Sequence, residues 1–90
     1  MPTTGPQQLP LPRNWKKHHH DIYRNMKGTE DNALIFRTLL KYERLKRTGA
    51  KDPPKEVIDA HIEVARFILE KERCIPHLDE IIRRCLKTMP

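Results

Sequence analysis

Residues 57 to 69, VIDAHIEVARFIL, constrain the fold more than any other stretch of the chain. On a helical wheel Ile58, Ile62, Ala65 and Leu69 cluster, Val57, His61, Val64 and Ile68 flank them, and Ala60 and Phe67 widen the arc. Only Asp59, Glu63, Arg66 and Glu70 are left to form a polar wedge. An apolar arc wider than half the circumference has to be covered on two sides, so this helix is expected at the centre of an all-α domain. Asp52 followed by Pro53 reads as its N-cap and first turn, and the pattern runs to about Arg73.

Two further amphipathic segments supply covers. One starts after Thr29, places Glu30 and Asp31 against the positive end of the helix dipole, and stops near Gly49. Its apolar stripe is Ile35, Phe36, Leu39, Leu40 and Tyr42, and Arg37, Lys41 and Arg44 line another face. The other opens at Pro76, with Leu78, Ile81, Ile82, Cys85 and Leu86 at i, i+3, i+4, i+7 and i+8. Short connections favour antiparallel neighbours, so residues 29–90 are expected to form a small three-helix antiparallel bundle. Ahead of it, residues 14–28 read as a short basic amphipathic helix with Asn14 as N-cap and Gly28 as its stop. Residues 1–13 read as an extended proline-rich tail, with Pro2, Pro6, Pro10 and Pro12 fixing φ and removing donors. The tryptophan helix and the tail are expected as an appendage to the bundle.

Ninety residues are room for one domain, and a chain of this size buries only about 60% of its unfolded surface, which makes a stabilising partner attractive. The net charge is +6 and unevenly spread: residues 1–28 carry +4, residues 29–49 carry +2, and residues 50–90 are neutral. A basic front on a neutral back points to a polyanion at one end and packing at the other. Cys74 and Cys85 make no disulfide framework, so a reducing compartment is expected. No apolar run reaches the roughly 20 residues of a membrane span, and neither a signal core nor an arginine-rich presequence is visible at the N-terminus.

The segment RNWKKHHHDIYRNMK, residues 13 to 27, holds five bases, three histidines and two aromatics against a single acid. Three successive imidazoles on a helix point about 100° apart and cannot converge on one ion, so no metal is expected at His18, His19 and His20. Cys74 and His77 have zinc-like spacing but lack a second ligand pair nearby. His61 lies within the apolar arc, where a hydrogen-bonded core histidine is the expectation, and no nucleophile is placed for it. The three glycines form no phosphate loop, and no cofactor is expected. A non-enzymatic protein is the expectation.

What the segment can do is bind polyanions. Arg13, Lys16, Lys17, Arg24 and Lys27 would release counterions from phosphates, while Trp15 and His20 would stack on unpaired bases. The competing reading is that the cations merely solvate the helix while Trp15 and Tyr23 dock on the core. A membrane-surface helix would need a longer apolar face. A DNA-reading helix would need an exposed row of Asn, Gln and Arg that none of the helices presents clearly.

The stretch ALIFRTLLKYERLKR, residues 33 to 47, resembles the opening helix of mitochondrial LYR-motif proteins, with Ile35-Phe36-Arg37 standing where that family has Leu-Tyr-Arg, followed by a Leu-Leu pair and further bases. The resemblance implies a small basic helical bundle that serves as an assembly factor or accessory subunit in mitochondria. It implies docking to acyl carrier protein on a face made by Ile35, Phe36, Arg37, Lys41 and Arg44, an acyl chain entering between helices, and Phe67 as the family's downstream phenylalanine. The leading expectation is a non-catalytic structural subunit of a large ribonucleoprotein, in particular a mitochondrial ribosomal protein contacting rRNA and neighbouring proteins. The alternative is an LYR-type factor of a respiratory complex. The mitochondrial matrix is the expected location, with the cytoplasm as the alternative.

Overall fold

A computed structural model describes residues 10–88. Residues 1–9, and with them most of the proline-rich tail, lie outside the described residues. Among the described residues the chain is all helix and loop, without strands. The helices are α1 (Lys17–Lys27), α2 (Asn32–Thr48), α3 (Lys55–Phe67), which continues into a π-helical turn over Ile68–Glu72, and α4 (Leu78–Thr88).

Helix α3 is packed by α2 on one side and α1 on the other. Ala60, Val64, Ala65, Ile68 and Leu69 are wholly removed from solvent, as a wide apolar arc with two covers requires. Trp15, Tyr23 and Met26 belong to the same core as Ile35, Leu39, Ile58, Leu78 and Ile82. The front segment is therefore part of the domain rather than an appendage. Its anchor is Trp15, 7% exposed, with ring centroids 5.2 Å from Phe67, 5.7 Å from Tyr23 and 5.8 Å from His19. Leu11, ahead of it, is half-buried against the core, and a turn at residues 13 and 14 is closed by the Trp15 N–H donating to the Pro12 carbonyl at 3.3 Å.

Docking Trp15 also moves the helix start. Lys16 is extended so that the indole can turn inward, α1 begins at Lys17, and Asn14 lies in the preceding turn instead of capping. The Lys16 N–H donates to His19 Nδ1 at 3.1 Å, so a histidine ring caps this helix. Helix α2 begins two residues later than the charge pattern suggests: Asp31 is its N-cap, accepting from the Ala33 N–H at 2.9 Å. Gly49 ends it in the left-handed conformation, φ 71°, as a Schellman-like cap requires. Asp52 does not cap α3. A residue before proline is disfavoured in helical conformation, and Pro53 precedes Pro54, so the helix waits until Lys55. Cys74 and His77 have φ of 52° and 55°, which likewise delays α4 to Leu78 rather than Pro76.

Polar links then fix the helices to one another. Arg66 of α3 donates to Glu43 of α2 at 3.3 Å and to Asp79 of α4. Burial alone would lower its pKa, but the bonds and charges of Asp79 and Glu43 outweigh it and hold Arg66 above the usual arginine range. Two more links come from the end of the π-helical turn and the residue that follows it. Glu72 accepts the Tyr23 hydroxyl proton, and Arg73 donates to the Thr29 carbonyl at 2.7 Å and to the side chain of Asn32.

Candidate binding face on the second helix

Two of the cations expected to meet phosphate have acidic neighbours within the protein. Arg24 pairs with Asp21 one turn earlier, at 2.5 Å. Lys16 lines a cleft of about 230 Å³ together with His18, His19, Glu56, Asp59 and Glu63, a setting of negative charge that disfavours a polyanion. In that cleft His19, 8% exposed, brings Nε2 to 3.3 Å from Glu63 Oε1. Trp15 is a core residue and offers no stacking face; its burial is the docking on the core that competed with base stacking. His20 packs its ring edge-on to Trp15 at 5.7 Å and is half-buried. Lys27 is exposed, with its ammonium 5.6 Å from the Tyr23 ring centroid. Arg13 and Lys17 are exposed and carry no ion pair among the described residues.

An outward-facing basic row lies on α2. Arg37, Lys41 and Arg44 are all exposed and line a groove of about 550 Å³ whose floor is Leu40 and Leu45. The spacings of four and three put them on one helical face. Arg37 and Lys41 have no ion pair among the described residues. Ile35, assigned to the docking face by the LYR resemblance, is instead buried at 2% exposure, and Phe36 is half-buried against the core. Their positions in the i, i+4 stripe turn them inward, toward α3, so only the basic members of that set face out. Phe67 is occupied as well, packed between Trp15 and Tyr23.

Lys41 also lines a second cavity, of about 320 Å³, with Ile22, Asn25 and Met26 of α1, Thr38 and Tyr42 of α2, and His61 of α3. Tyr42 and His61 stack there with centroids 4.0 Å apart and planes 7° from parallel. The His61 ring is fixed by a 2.9 Å contact in which Nδ1–H donates to the Val57 carbonyl. The Lys41 ammonium lies over the Tyr42 ring, 5.6 Å from its centroid. Sequence reading assigned Tyr42 to an apolar stripe and His61 to the core. The two come from different helices, so no spacing links them, and the available signal was only that Tyr42 adjoins Lys41 at the edge of its stripe.

Among the described residues there is no group of three or more His, Cys, Asp or Glu side chains able to hold a metal, and no helix is long and apolar enough to cross a membrane. No family model, curated protein or solved structure matches the chain.

Proposed function

We propose that this protein is a non-catalytic structural subunit of a large ribonucleoprotein assembly, contacting rRNA through the basic face of α2, with the mitochondrial ribosome as the assembly and the matrix as its location. The observation that carries the reading is the row Arg37, Lys41 and Arg44, exposed on one helical face beside a cavity with an aromatic pair. Cations on a rigid helix meet phosphates without the ordering cost of a mobile arm. Lys17 and Lys27 of α1 add exposed charge, and the net +6 of the chain supports attraction to a polyanion. Affinity for a structured RNA measured at two salt concentrations tests it: binding that weakens steeply with salt supports the reading, and no binding at low salt contradicts it.

A second reading is favoured by one observation, the apolar floor of the α2 groove. Leu40 and Leu45 between three cations suit an acidic protein that brings an apolar group, as an LYR-type assembly factor or accessory subunit of a respiratory complex would need for acyl carrier protein. Co-purification followed by intact-mass measurement separates the two, since an acylated carrier protein has a distinctive mass.

A further inference from the structure

We infer that the cavity between α1, α2 and α3 is a nucleobase pocket, in which an unpaired base of the bound RNA stacks on the outer face of Tyr42 while Lys41 takes the adjoining phosphate. This inference rests on the RNA reading above and names where that RNA is gripped.

Four features of the cavity converge on such a ligand. The first is the stack itself: His61 lies parallel to Tyr42 at 4.0 Å and covers only one of its faces. A base on the opposite face extends the stack to three rings, and every base has a π-face to offer. The second is Lys41. Its ammonium rests over the Tyr42 ring, held there by the attraction of a cation for the ring quadrupole. That attraction is weak at an exposed site, so an aromatic base displaces it readily. Lys41 is exposed, and its long side chain then reaches the backbone of the same nucleotide.

The third feature is the rim. Asn25 is exposed at the mouth of the cavity and brings an amide with both donors and an acceptor, suited to the edge of a base. The Thr38 hydroxyl donates its proton to the Leu34 carbonyl at 3.1 Å, which leaves its oxygen as an acceptor. Ile22 and Met26 supply the apolar wall against which the base plane can lie. The fourth is continuity: Lys41 lines both this cavity and the α2 groove, so a strand that follows Arg37, Lys41 and Arg44 passes the pocket mouth. A cationic ligand is disfavoured by Lys41. An acidic amphipathic helix fits the neighbouring groove better than a cavity walled by polar and aromatic groups.

The test uses the full chain and two probes: a short mixed-sequence single-stranded RNA, and an abasic oligomer of the same length and phosphate charge. The wild-type protein should bind the base-bearing strand about tenfold more tightly than the abasic one. Tyr42→Leu should abolish that preference while leaving abasic affinity within about twofold, and Tyr42→Trp should retain it. Should Tyr42→Leu unfold, the ring protons of Tyr42 and His61 in the wild-type protein provide the readout, shifting with the base-bearing strand and not with the abasic one. Equal affinity for both probes, or a preference that survives Tyr42→Leu, overturns the pocket while leaving the RNA reading standing. Binding of neither probe overturns both, as does displacement of the RNA reading by an acidic amphipathic peptide that alone perturbs Tyr42.

Discussion

Trp15 reads from the sequence as an aromatic on offer to a ligand, with docking on the core beside Tyr23 as the competing reading, and both residues are buried in the interior. Replacing Trp15 removes contacts to Phe67, Tyr23 and His19 at once. Trp15→Ala should therefore cost about 3 kcal/mol or more in urea unfolding, a large share of the stability of a domain this small; a loss below about 1 kcal/mol would mean that the indole is not an anchor. Tyr23 makes a pH prediction. Burial, and then the hydrogen bond and negative charge of Glu72, push its hydroxyl up to about 12 from the ordinary 10.0. The folded-state value lies above the unfolded one, so the neutral phenol contributes stability that is fully present below pH 10 and is lost as pH rises toward 12. Stability measured across that window should fall, and Tyr23→Phe should remove this part of the alkaline slope. A wild-type curve that is flat between those values would contradict the buried Tyr23–Glu72 pairing.

At the scale of helices, what could be read from the sequence was the pattern that burial imposes, and what could not was how helices begin. The wide arc around Ile58, Ile62, Ala65 and Leu69 announced a doubly covered helix, and the all-helical class follows from such periodicities. Gly49 marked the end of α2 because only a residue without Cβ takes φ of 71° without strain. One start was obscured by a tertiary demand, the docking of Trp15 that takes Asn14 off the cap, and another by local chemistry, the consecutive prolines that displace Asp52. The π-helical turn has no sequence signature at all, although Glu72 ends it and Arg73 follows it. Arg73 bonds to the Thr29 carbonyl and the Asn32 side chain and so ties the α1–α2 connection to the end of the α3 segment. Arg73→Met keeps most of the stem and deletes the donors. It should cost about 1–2 kcal/mol and speed amide hydrogen exchange at residues 28 to 32 relative to the α3 core. Unchanged exchange in that connection would show that Arg73 is not what holds it.

Across the whole molecule, the distribution of charge along the chain and its distribution in space are different things. The sequence placed most of the excess before residue 29, yet Arg24 is paired with Asp21 and Lys16 sits beside Glu56, Asp59 and Glu63. Carboxylates from a distant segment cannot be seen by counting along a window, which is why Glu56, Asp59 and Glu63 beside Lys16 were not legible in the first 28 residues. The α2 row could be read because helical spacing alone puts Arg37, Lys41 and Arg44 on one face, whereas the Tyr42–His61 pair required α3 to be brought alongside. The most direct measurement is therefore a comparison of two charge-deletion variants in RNA affinity across a salt series. Arg37→Gln/Lys41→Gln should weaken binding and lower the salt slope by about two. Lys16→Gln/Arg24→Gln, on the front segment, should leave both nearly unchanged. The reverse order, with the front pair carrying the slope and the α2 pair silent, would contradict the placement of the binding face on α2.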